Sequence, residues 1–162
     1  MGDDLLSGKR ILIVDDEQDV LDTLEQLLTM CEVVQAAAFE KAKELLETQY
    51  FDIAILDIMG VDGYQLLSIA NERNVLGVML TAHALSADNV MKSYKEGAAA
   101  YLPKAEISKI VVFLNDVLQA QQEGKHLWSR WYGRLSSFFD RKFGENWKEQ
   151  DKDFLEKYKN WY

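Results

Sequence analysis

One cysteine, one proline and a shortage of basic residues mark this chain of 162 residues. A single thiol cannot close an internal disulfide, and Cys31, set among apolar neighbours, reads as a buried reduced cysteine. The one proline, Pro103, fits an edge strand, where its missing N–H costs no ladder bond. Lys and Arg total 18 against 27 Asp and Glu, a net charge of −9, which argues against nonspecific nucleic-acid binding. No apolar run approaches the roughly 18 residues of a membrane span. The start, MGDDLLSGK, has no basic-then-apolar signal layout, and Leu6 occupies the place where myristoylation needs Ser or Thr. These absences predict a soluble, cytoplasmic protein. What is plentiful is apolar side chain, 48% of the residues, enough for a substantial core.

Charge and aromatics are unevenly spread. Residues 1–121 carry 20 acidic and 9 basic side chains, whereas residues 122–162 carry 7 and 9, with all four Trp and 11 of the 18 aromatics. The shift divides the chain into an N-terminal tail (1–8, expected flexible), a main domain (9–121) and an aromatic extension (122–162).

In the main domain, short apolar runs alternate with helical periods. Lys9–Val14, Glu32–Ala36, Ile53–Leu56, Val75–Leu80 and Ala99–Leu102 read as strands. Between them, Val20, Leu21, Leu24, Leu27 and Leu28, then Phe39, Ala42, Leu45 and Leu46, then Leu66, Leu67 and Ala70 recur at helical spacing. Asp62 and Ser86 are predicted helix caps. The last helix of the domain is predicted to carry Ile107, Ile110, Val111, Leu114, Val117 and Leu118 toward the sheet, with Val112 and Phe113 on or beside the opposite side. The alternation predicts an α/β fold: a five-stranded parallel sheet with right-handed crossovers, helices on both faces and the flavodoxin-like order 2-1-3-4-5.

That order brings the carboxyl ends of strands one, three, four and five together, and each carries a polar group: Asp15 and Asp16, Asp57, Thr81, and Lys104. Three crowded carboxylates raise one another's pKa unless a cation sits among them. Short-stemmed oxygen ligands suit Mg²⁺, and a hydroxyl with an ammonium opposite suits a phosphoryl group. Taken singly, each has a plainer reading: Asp15 or Asp16 as a helix N-cap, Asp57 as a turn cap, Thr81 as a strand end and Lys104 as a solvated lysine. The set as a whole is far more specific.

ILIVDDE, ILDIMGVDGYQLL, MLTAHA and GAAAYLPK resemble the signatures of the response-regulator receiver domain of two-component signalling, over about residues 8–121. The resemblance implies that Asp57 is the phosphoacceptor, Asp16 a direct Mg²⁺ ligand, Asp15 its water-mediated neighbour and the Met59 carbonyl the third protein ligand. It implies that Thr81 is the switch hydroxyl, Lys104 the conserved lysine and Tyr101 the aromatic that turns inward on activation; Tyr101 also fits a strand residue packed on helix four. Two features depart from the family. The loop from Asp57 reaches Gly63 sooner than usual and lacks its proline. Pro103 precedes Lys104, where the family has a proline after the lysine, so a trans Lys104–Ala105 bond is predicted.

Beyond the domain, Trp128, Trp131, Leu135 and Phe138 space as one amphipathic helix, and Trp147, Phe154, Tyr158 and Trp161 as a second, predicting a helical hairpin. Trp131, Leu135 and Phe138, with Val112 and Phe113 of helix five, are the predicted interface residues, either within the chain or in a homodimer. The implied function is a Mg²⁺-dependent phosphorylation switch served by a sensor histidine kinase or phosphotransfer protein. It would work through protein–protein contact, with no nucleic acid and no membrane, and would catalyse only its own phosphorylation and dephosphorylation. The alternatives are a phosphorylation-independent interaction module and an aspartyl-phosphate phosphohydrolase. The latter normally wants a general acid–base where Met59 stands.

Overall fold

A computed structural model describes residues 5–81 and 87–123. The apolar runs form five strands: β1 (Arg10–Val14), β2 (Glu32–Ala36), β3 (Ile53–Asp57), β4 (Leu76–Thr81) and β5 (Ala100–Pro103). Between and after them lie α1 (Gln18–Leu27), α2 (Phe39–Thr48), α3 (Gly63–Glu72), α4 (Ala87–Lys95) and α5 (Ile110–Glu123). All strand pairs are parallel and the order is β2-β1-β3-β4-β5. α1 packs with α5 and α2 with α3, so the sheet is covered on both faces. This covering explains why β3, the central strand, is apolar along Ile53–Leu56 rather than alternating: all five of its residues are buried. Edge strand β2 is correspondingly more open. β4 and β5 each lie one residue later than their apolar runs suggest. β5 ends in Pro103, paired in register with Thr81, a place a proline can take because β5 is an edge.

Four sequence expectations need correction. Leu5–Gly8, expected in a flexible tail, form a turn. Leu6 is fully buried, the Leu5 N–H donates to Asn115 Oδ1 at 3.0 Å and the Gly8 N–H to the Met30 carbonyl at 2.9 Å. Asp62 precedes α3, but its side chain makes no capping bond. It sits in the left-handed region at φ 54°, and its backbone carbonyl, not its carboxylate, accepts the Gln65 and Leu66 N–H groups. The short loop forces this turn, because the chain must reverse between Asp57 and Gly63. Ile107 belongs not to α5 but to a 3₁₀ turn, Lys104–Lys109, which kinks at Glu106 before the α-helix begins. Phe113 is 3% exposed, in one stripe with Ile110, Leu114 and Val117. Its neighbour Val112, at 45%, is the residue that faces out. A 100° step per residue turns Phe113 onto the buried stripe while Val112 stays outside it.

The predicted Ser86 cap, the helical hairpin and the interface residues Trp131, Leu135 and Phe138 lie outside the described residues.

Candidate functional site

β3 ends at Asp57 and β4 at Thr81, both buried, while Asp15 follows β1 directly and Lys104 follows β5. Because β1, β3, β4 and β5 are successive neighbours, their carboxyl ends open on one cleft of about 340 Å³, lined by Asp16, Glu17, Asp57, Met59, Gly60, Thr81 and Lys104. This is where an open α/β sheet places its ligands.

Lys104 is the centre of the electrostatics. Its ammonium lies 2.8 Å from Asp15 Oδ2, 3.0 Å from Glu17 Oε1 and 3.4 Å from Asp57 Oδ1. Burial opposes its charge, but the hydrogen bonds to Asp15 and Glu17 and the charges of Asp57 and Asp15 outweigh that, and its pKa is raised. Asp15 is fully buried. Burial pushes its carboxyl up and the Asp57 charge adds to this, while Lys104 and the Glu17 N–H, donated to Oδ1 at 2.9 Å, oppose it. The solvated-lysine reading of Lys104 therefore fails. Asp15 accepts the Glu17 N–H in the manner of a cap, while Glu17, the N-cap residue of α1, makes no side-chain cap. The Lys104–Ala105 peptide is trans: no cis bond occurs in the described chain.

Asp16 is exposed, with its carboxylate against Gly60. Ligand oxygens of Asp15, Asp16 and Glu17 lie within 4.8 Å of one another. Asp57 is not one of these three; it lines the cleft with Asp16 and Glu17 and accepts the Gly60 N–H at Oδ2, 3.1 Å away. Three carboxylates, those of Asp15, Glu17 and Asp57, thus contact the Lys104 ammonium, and Asp16 lines the same cleft. That donor set, oxygen only and short of positive charge, fits a hard divalent cation such as Mg²⁺.

Met59 exposes 72% of its surface at the cleft mouth, so its side chain is no part of the core. Tyr101 is fully buried, and burial raises its hydroxyl pKa. Two residues of the cleft were missed. Glu17 was legible only as the third acid of a run, and nothing in the pattern points a half-exposed carboxylate toward a lysine 87 positions away. Gly60 carried no signal beyond sitting in a short loop.

The profile of the response regulator receiver domain matches residues 11–114, most of the chain. The chain belongs to that family. Two-component response regulator ARR18 of Arabidopsis thaliana is 39% identical over 103 residues, which are 60% of this chain and 16% of the plant protein. Heme response regulator HssR of Staphylococcus aureus (strain Newman) is 31% identical over 114 residues, 67% of this chain and 50% of that one. The receiver thus spans from about a sixth to half of the curated relatives it matches. Among solved structures, a CheY-like receiver domain protein from Methanospirillum hungatei JF-1 superposes with a TM-score of 0.65 at 31% identity, covering 73% of this chain and 99% of the other. The receiver is therefore a signalling domain homologous to two-component response regulators. Among its described residues no helix is long and apolar enough to cross a membrane.

Proposed function

We propose that this receiver accepts a phosphoryl group on Asp57 from the phosphohistidine of a sensor histidine kinase or phosphotransfer protein in the cytoplasm. One observation carries the reading: the Lys104 ammonium, clamped by buried Asp15, stands 3.4 Å from Asp57 at the rim of a cleft roomy enough for a phosphoryl group. In the transfer, an Asp57 carboxylate oxygen forms a bond to phosphorus as the P–N bond to the donor histidine breaks. Positioning and charge stabilisation dominate such a step. Lys104 offers its ammonium and Thr81 its hydroxyl to the phosphoryl oxygens, and the Gly60 N–H orients the attacking carboxylate. Asp15, Asp16, Asp57 and the Met59 carbonyl would hold Mg²⁺, with Glu17 close enough to assist. When bound, the ion supplies positive charge where negative charge builds on the transferred oxygens.

The signal would leave through Thr81 and Tyr101 to a protein partner, with α5 or the 122–162 extension open to self-association, and without nucleic acid or membrane. Met59 at the second position after Asp57 offers no acid–base group, which favours a lasting adduct over phosphohydrolase turnover. The complete cleft disfavours an inert interaction module. The test is incubation with Mg²⁺ and a small phosphodonor, read by intact mass. A single hydroxylamine-labile adduct that Asp57→Ala abolishes is expected, and an Asp57→Ala protein that gains it at the native rate would sink the assignment.

A further inference from the structure

Gly60 meets both halves of the cleft. Its N–H donates to Asp57 Oδ2 at 3.1 Å. On its other side, a Cβ would fall no farther than 2.6 Å from every atom of the Asp16 carboxylate group. Backbone strain does not explain the glycine: the positive-φ glycines of the described chain are Gly8 and Gly97. An L-residue can therefore adopt the Gly60 backbone, and what it cannot do is place a Cβ where Asp16 now sits. Asp16 is exposed, so nothing would stop its side chain swinging out to water.

We propose that Gly60 is a positioning residue for the cation site. Its missing side chain keeps open the space in which the Asp16 carboxylate enters the cleft, while its amide holds the Asp57 carboxylate. The two-sided contact arises because the short loop brings the backbone between the two acids. The proposal rests on the reading of Asp16 as a Mg²⁺ ligand.

The test uses the full chain as native protein, Gly60→Ala, Asp16→Ala and the double variant. Each is titrated with MgCl₂ by calorimetry and melted in EDTA. Gly60→Ala should weaken Mg²⁺ binding about 10- to 100-fold, the usual cost of disturbing a residue that orients a ligand. Its melting temperature in EDTA should hold. Combined with Asp16→Ala it should cost nothing further, because both changes remove the same ligand. Native affinity in Gly60→Ala, or losses that add in the double variant, would overturn the proposal. So would a lowered melting temperature that Asp16→Ala does not relieve, since Gly60 would then be structural. Should Asp16→Ala lose binding while Gly60→Ala keeps it, the cation site stands and the proposal alone fails. Should the native chain bind no Mg²⁺, both fail.

Discussion

Replacing Lys104 by methionine keeps the buried stem and removes the one ammonium among the described residues of the cleft. Three ion pairs go with it, and they are unequal. The Glu17 side chain is 56% exposed, so its pair is screened and worth little. Asp15 and Asp57, at 0% and 7%, are left facing each other without a counter-ion. Breaking a buried pair this way costs about 3–5 kcal/mol, because the remaining charge stays out of water. Asp15, whose pKa burial already raises, can escape by taking up a proton, which makes the cost depend on pH. In the native protein the folded Lys104 pKa is raised, so its contribution is full below the ordinary lysine pKa and fades only in strongly alkaline solution; between pH 5 and 8 it is constant. Asp15 shifts in the same direction but titrates in the acid range. Its folded pKa lies above the unfolded value, so the native state binds more protons, and stability falls as pH rises from the unfolded pKa through the folded one. Lys104→Met removes an influence that lowers the Asp15 pKa and so extends this window upward. Urea unfolding in EDTA should show the variant about 3 kcal/mol less stable at pH 8, a melting-temperature drop on the order of 10 °C, and markedly closer to native at pH 5. Mg²⁺ at pH 8 should recover part of the loss. A gap that is the same at both pH values would refute the view that stranded carboxylates are the cause.

Two further substitutions probe the frame around the site. Gly63→Ala would drive a Cβ into the Asp57 backbone carbonyl, which cannot swing aside as a side chain can, so a loss of about 1–3 kcal/mol is expected by urea unfolding; an unchanged midpoint would show that the loop relaxes freely. Phe113→Ala should cost about 3–5 kcal/mol by the same assay, whereas Val112→Ser should stay within about 0.5 kcal/mol, and equal effects would contradict the assignment of inner and outer faces of α5.

The strands were legible because a parallel sheet covered on both faces demands unbroken apolar runs, and Ile11–Val14 and Ile53–Leu56 are such runs. The strand order was not contained in periodicity; it came from the most common five-stranded arrangement. Once assumed, it brought Asp15, Asp57, Thr81 and Lys104 to one end of the sheet. What stayed hidden depends on close approach rather than pattern. Asp62 precedes a helix with the residue type of a cap, yet the tight loop puts it in the left-handed region, from which its side chain makes no capping bond. Ile107 has helical spacing to Ile110 and Val111, but the chain leaving β5 first tightens into a 3₁₀ turn. Phe113 reads as lying on or beside the outer side because six apolar residues already fill the inner stripe. The stripe is wider than that, and Ile107 and Val111 are only partly buried in it. Gly60 means nothing until Asp16 is beside it.

The arrangement of Lys104 bears on how a phosphoryl group on Asp57, as proposed, would be felt elsewhere. Lys104 opens the 3₁₀ turn that runs into α5, and Glu17 stands at the N-terminus of α1. Their ion pair joins these two helix starts at the cleft, and α1 and α5 pack on each other farther along. The ammonium is therefore shared between a buried anchor, Asp15, and a half-exposed partner, Glu17. New phosphoryl oxygens on Asp57 would compete for it with strong charge-assisted hydrogen bonds. The pair to yield is the screened one: Glu17 can turn to water, whereas the buried Asp15 carboxylate, 2.8 Å from the ammonium, cannot. Release of Glu17 would free the start of α1 from the start of the turn leading to α5 while leaving Lys104 anchored. On this reading the weakest ion pair of the site, rather than the strongest, is the one able to transmit its state.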